Sequence, residues 1–255
     1  MKINSSMNLI QKISIHRTYF PVFLSMVLFP VILQAQLQSI TAFSEYSSTF
    51  SKRLDVKNAD AVGGGMDVIY SIADNVTIGL RAGYYLYSVS QTDQLNRWGW
   101  RFWNDRYLNK IQADMRADPS LSTMIGSVQK MDLIPVLLHC DYTFTVAENL
   151  TMVPTLGAGM AFYQRRLYAD ETWTKVFPAA EYSFTYSFRN FAPAKKGNPV
   201  FGTAGVTVRY KMFSSVGIMS SLHYTQYLET KDRFGYNEFI FTNESGFRLG
   251  LEFFY

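Results

Sequence analysis

His139 and Asp141 stand two residues apart. In an extended strand that spacing sends both side chains to one side. An imidazole beside a carboxylate is the acid–base pair of triad hydrolases: the carboxylate orients the ring, and the ring activates a hydroxyl. The plainer reading is a histidine held by hydrogen bonds, because this spacing is common in strands. His223 is the other histidine beyond residue 35. Cys140, the chain's one cysteine, lies between His139 and Asp141 and points the opposite way. It reads as a small hydrophobe. One cysteine and two distant histidines give no zinc spacing, so neither metal nor cofactor is expected.

The segments carrying these residues alternate with period two. Met131 to Thr145 puts Ile134, Val136, Leu138, Cys140, Tyr142 and Phe144 on one face and Leu137, His139, Asp141 and Thr143 on the other. The same pattern runs through Ala61–Ala73, Val76–Ser88, Leu150–Arg165, Val200–Met212, Val216–Tyr227 and Phe247–Tyr255. In the last of these Phe247, Leu249, Leu251, Phe253 and Tyr255 share a face, opposed to Arg248, Gly250 and Glu252. Turn signals at Asp74-Asn75, Ala147–Asn149 and Phe213–Ser215 join pairs of segments. Long polar insertions at about 90–130, 166–197 and 228–245 join the rest. Within the first, Asn104 to Arg116 reads as a short helix with Leu108, Ile111 and Met115 at helical spacing and Asn104 as its cap. Glu181 to Phe188 alternates polar and aromatic residues, which suits a strand extension with an edge open to β-augmentation.

Composition agrees with alternation. Of 255 residues, 48% are hydrophobic, 16% aromatic and only 17% charged. Mean hydropathy is nevertheless −0.03, as expected when lipid-facing and lumen-facing residues alternate. The net charge of +4 is too small, and too scattered, to argue for nucleic acid. Residues 1–35 read as a signal peptide: no acid precedes Glu45, Lys2, Lys12 and Arg17 form a basic leader, and an apolar run covers Tyr19 to Leu33. Residues 36–255 form the second unit.

Seven good strands would leave the termini on opposite sides of a membrane. Adding the weaker strand Leu37–Phe50 gives eight, with both termini on the side of the short turns. If those turns are periplasmic, the lower outward residues include Tyr70, Tyr142, Phe144, Tyr210, Phe253 and Tyr255. Tyr84, Phe162 and Tyr224 lie near the upper ends, so two aromatic girdles form. On these residues the chain resembles the small eight-stranded outer-membrane proteins of the OmpX-like and OmpA-like kind. The expected fold is all-β: an antiparallel up-and-down eight-stranded transmembrane barrel with short periplasmic turns and long extracellular loops. The resemblance implies the outer membrane of a diderm bacterium. It also implies outer-membrane lipid and lipopolysaccharide as surroundings, and the barrel-assembly machinery as reader of Phe247, Leu249, Leu251, Phe253 and Tyr255.

A barrel of eight strands is just wide enough for side chains to fill. Asp67, Arg81, His139, Asp141, Arg165, Arg209, Lys211, His223, Arg248 and Glu252 fall on the inner face and are expected to form one polar network. The family's enzymes, lipid A deacylases, palmitoyltransferases and omptin proteases, need a histidine near the lipid face or outer rim, and no insertion here carries one. A non-enzymatic surface role is therefore expected, with Trp98, Trp100, Phe102 and Trp103 as loop-binding candidates for a surface or protein ligand. The alternatives are a lipid-modifying barrel enzyme and an accessory subunit of an envelope export or assembly complex.

Overall fold

The computed structural model describes residues 36–231 and 233–255; the expected signal peptide lies outside the described residues. The strands are β1 (Gln36–Thr49), β2 (Val56–Ala73), β3 (Val76–Gln91), β4 (Leu121–Tyr142), β5 (Phe144–Ala147), β6 (Leu150–Phe177), β7 (Tyr182–Phe191), β8 (Lys195–Gly197), β9 (Val200–Lys211), β10 (Val216–Tyr227) and β11 (Asn243–Phe254). Antiparallel pairing runs β1–β2–β3–β4–β6–β9–β10–β11 and returns to β1, so eight strands close a barrel. β5 continues β4 below it along β6. Closure gives every wall strand two neighbours and removes the exposed edges of an open sheet. The weak first strand is real and forms the closing seam, with Ala42 opposite Leu251 and Tyr46 opposite Phe247. Both ends of the wall meet at the rim of short turns, where the Tyr255 N–H donates to the Gln38 carbonyl at 3.0 Å.

Alternation decides which side each residue takes. Met66, Leu80, Leu138, Leu156, Leu222 and Leu249 are exposed on the outside, and the expected aromatic residues of both girdles are exposed with them. Asp67, Arg81, His139, Thr155, His223 and Arg248 are buried inside. No described helix is long and apolar enough to cross a membrane; the apolar exterior belongs to the strands.

The three insertions differ from expectation in an instructive way. The first is not loop to its end: β4 begins at Leu121, and its partner β6 runs on to Phe177. Their pairing continues from Asp141↔Thr155 to Leu121↔Lys175, well past the rim. β7 adds to β6 from Tyr168↔Phe191 to Phe177↔Tyr182, making a three-stranded sheet that projects from the barrel. Helix α1 (Gln94–Arg97), a π-helical turn (Trp103–Tyr107) and helix α2 (Leu108–Ala117) pack on that sheet. Asn104 is not a cap, since it lies inside the π-helical turn and its own N–H donates to the Trp100 carbonyl at 3.0 Å. The third insertion turns inward. Phe239, Ile240 and Phe241 are fully buried and stop the mouth of the barrel.

Candidate functional site

The inner face carries charge because alternate positions of each strand must point inward, and short side chains opposite leave the room. Gly79 and Gly246 lie against the rings of His139 and His223, where a Cβ would collide. Around His139 the strands converge their charges. Its Nε2 faces Asp67 Oδ1 at 2.8 Å and its Nδ1 faces Asp141 Oδ1 at 3.0 Å. Arg81 grips the second oxygen of Asp67 through Nη2 at 2.6 Å and Nε at 3.0 Å. Arg209 lies 3.6 Å from Asp141 and 3.3 Å from Glu252, and Ser39 donates to Glu252 at 2.6 Å.

One layer higher, Glu45 is the hub. It accepts from Tyr85 and Ser47, each at 2.7 Å, pairs with Arg248, and lies 3.2 Å from His223 Nε2. The ring of Phe43 sits between the layers, with Arg248 and Arg81 over it at 5.2 and 5.9 Å. Above this, Glu244 accepts from Tyr87 and from Tyr227, the latter at 2.9 Å. Phe239 and Phe241 then close over the two tyrosines, with ring centroids 4.5 Å apart for Tyr227–Phe239 and 5.2 Å for Tyr87–Phe241. The space left between Glu45, Arg81, Tyr85, His223, Glu244 and Arg248 is about 30 Å³, room for about one water molecule. Such an interior fixes charges in place.

Of the expected inner residues, Asp67, Arg81, His139, Asp141, Arg209, His223, Arg248 and Glu252 meet in these two layers. Two do not. Lys211 is exposed at the turn rim, where its ammonium lies 5.2 Å from the Phe254 ring. Arg165 is buried but stands at the mouth, donating to the Glu238 carbonyl at 2.6 Å and lying over Trp98 at 4.9 Å. Sequence reasoning missed Glu45 and Glu244. Glu45 alternates correctly with Ile40, Ala42 and Tyr46, a signal that was available. Glu244 lay hidden beyond the misplaced start of β11.

The tryptophans also need correction as binding anchors. Trp98, Trp100 and Trp103 are 4%, 7% and 2% exposed, against 46% for Phe102. They pack with Ile111 on Leu167, Ala169 and Trp173. Beneath them the fully buried Glu171 accepts from Asn190 at 2.6 Å, Trp173 Nε1 at 3.0 Å and Tyr107 at 3.1 Å. The accessible rings lie instead on β7: Tyr182, Phe184, Tyr186 and Phe188 are all exposed. Among the described residues no group of three or more His, Cys, Asp or Glu is arranged to hold a metal ion. The closing residues Phe247, Leu249, Leu251, Phe253 and Tyr255 all face outward.

No family model matches the sequence, and no curated protein matches it. Solved structures do. Neisserial surface protein A overlaps 87% of this chain and 99% of its own at 11% identity and a TM-score of 0.45. A major outer membrane protein of Thermus thermophilus overlaps 85% and 99% at 12% identity and 0.44. The attachment invasion locus protein Ail of Yersinia pestis overlaps 86% and 100% at 10% identity and 0.36. The architecture is read from this chain's own pairing: eight antiparallel strands closed on themselves, apolar without and polar within, make it a β-barrel of the outer-membrane type that it resembles.

Proposed function

We propose that this chain is an integral protein of the outer membrane of a diderm bacterium, with its termini periplasmic. In this reading the barrel is a sealed, non-enzymatic anchor, and the projecting sheet with its helices is the surface offered to partners outside the cell. The observation that carries it is the filled interior. Two layers of paired charge lie under Phe239 and Phe241, and the cavity between Glu45, Arg81, Glu244 and Arg248 measures about 30 Å³. The non-enzymatic part is supported by His139, whose side chain is 0% exposed and is held by two carboxylates; a substrate has no approach to it. The outward apolar face fits outer-membrane lipid and lipopolysaccharide, and the aromatic end of β11 fits recognition by the barrel-assembly machinery.

Cold and boiled samples from isolated outer membranes, compared by SDS gel, test the anchor. A compact form that shifts on boiling is expected; a soluble periplasmic protein with no shift would sink the reading. Conductance across planar bilayers should stay at baseline. A lipid A profile that changes in a deletion strain, and is not restored by His139→Gln, would make the barrel an enzyme instead.

A further inference from the structure

β7 is an edge strand without the usual protections. Its residues pair with β6 on one side, and no described strand covers the other. It has neither proline nor lysine, and nine of its ten residues are exposed. A long, exposed edge of this kind presents unpaired backbone groups to another strand. Its two faces are sharply divided. Phe184, Tyr186 and Phe188 form a ladder with centroids 5.7 and 6.2 Å apart. The opposite face carries Ser183, Thr185 and Ser187, of which Thr185 and Ser187 already meet hydroxyls of β6, at 3.2 and 3.1 Å.

The order of residues selects the occupant. From Glu181 to Arg189 the sequence reads acid, aromatic, Ser, aromatic, Thr, aromatic, Ser, aromatic, base. Its side-chain classes are the same in reverse, apart from the ends, which exchange sign. Antiparallel pairing of two such strands about Thr185 sets Tyr182 opposite Phe188, Ser183 opposite Ser187 and Phe184 opposite Tyr186. It also brings Glu181, in the turn just before β7, towards Arg189, whose charge Asp170 already contacts at 2.6 Å. We propose that β7 is a homotypic docking strand, pairing antiparallel with β7 of a second copy of this chain that stands in a facing bilayer. The facing arrangement follows from direction. β7 descends from the hairpin tip towards the barrel, as it must in every copy within one membrane. An antiparallel partner descends the other way, towards a barrel on the far side. The sheet stands clear of the wall, β6 running nine residues beyond Arg166 to Lys175, or roughly 30 Å at ~3.3 Å per residue.

The inference rests on the projecting sheet being the partner surface, and its test is kept separate from that of the barrel. Full-length protein carrying Cys140→Ala is folded in detergent micelles with Thr185→Cys, Ser183→Cys or Ser187→Cys added singly, and oxidised mildly. Gel shift on boiling confirms that each variant has a folded barrel. Thr185 lies on the two-fold axis, where facing Cα atoms stand about 4.5–5.5 Å apart, within disulfide reach. Ser183 lies some four residues, about 13 Å, from its own copy but directly opposite Ser187. Thr185→Cys should therefore link to itself ~10-fold faster than Ser183→Cys does, and Ser183→Cys should link on mixing with Ser187→Cys. Absence of Thr185→Cys dimers, or equal self-linking by Ser183→Cys, would overturn the pairing while leaving the barrel reading intact. In nanodiscs holding one barrel each, the linked product should join two discs; links that form only when discs are loaded with two barrels each would overturn the facing geometry.

Discussion

β6 is one strand living in two surroundings, and its two halves solve opposite problems. Below Arg165 its outward residues are mostly apolar, Leu156 and Phe162 among them, and its inward residues include Thr151, Thr155 and Gly157 beside Val153, Ala161 and Tyr163. Above Arg165 the same parity reverses. The inward positions include Leu167, Ala169 and Trp173, under the tryptophan cluster, with the buried Glu171 among them, while the outward ones include Arg166, Asp170, Thr172 and Thr174 beside Tyr168. Strand geometry does not change at the crossing; only the solvent on each face does. In the barrel the outside meets hydrocarbon and the inside holds paired charge. In the projecting sheet one face builds a small apolar core and the other meets water. In the proposed orientation the point of reversal falls at the outer rim of the barrel, and it coincides with the outward pair Arg166–Asp132 at 2.6 Å and the Asp132–Tyr84 hydrogen bond at 2.5 Å.

Matched substitutions in the two halves should separate these regimes. Asp67→Ala strips the lumen of the carboxylate facing Arg81 and His139 and should cost about 3–5 kcal/mol. Asp170→Ala removes an exposed pair and should cost about 0–1 kcal/mol. Urea unfolding in lipid vesicles measures both, and equal losses would mean that the lumen is wet. Trp103→Ala empties a buried site and should cost about 3–5 kcal/mol, but only to the projecting sheet. Protease should then cut within residues 94–117 while the boiled-gel shift persists; loss of the shift would show that sheet and barrel fold as one unit. Leu156→Arg at mid-wall should cost about 2–4 kcal/mol, against ~0.5 kcal/mol or less for Thr172→Arg on the watery side of the same strand. If the two are alike, the membrane boundary is misplaced.

The smallest effect is on acid stability. Lys175 donates to Asp118 at the C-terminal end of helix α2 and, with Ser120, holds its carboxyl below the ordinary 3.8. A carboxyl lowered on folding stabilises the folded state above its unfolded value and loses that contribution as pH falls through the lowered one. Tryptophan fluorescence of the arm should be flat from neutral pH to about 5 and weaken only below ~4. Asp118→Asn should remove that acid limb; an unchanged acid transition would assign it to another group.

The barrel was legible because its code is uniform. Seven strands alternate cleanly, and parity of the termini demanded the eighth. What escaped was wherever that code changes sign. A search for apolar outward faces stops at Arg165, where the outward face turns polar, so the upper halves of β4 and β6 read as insertion. The same rule sent Lys211 inward, although a lysine at a strand's last residue reaches the rim and water. The run of tryptophans resembled binding anchors because burial under a helix and exposure at a tip share one composition. The plug could not be read from alternation at all: Phe239-Ile240-Phe241 is apolar on both faces, which only enclosure explains.

The seam between β1 and β11 sets the order of assembly. Glu45 reaches Arg248 across 203 residues of chain, and Ser39 reaches Glu252 across 213. Until the last strand arrives, the first carries a carboxylate facing inward with no guanidinium to meet it. The Phe239–Phe241 stopper reaches the mouth only with that same last stretch. Meeting the Glu45 charge, closing the wall and corking the top thus all await the last strand, whose contacts with the first are of very high sequence separation. Folding of such a chain is slow, and its nascent form must be sheltered while its first and last strands are still apart.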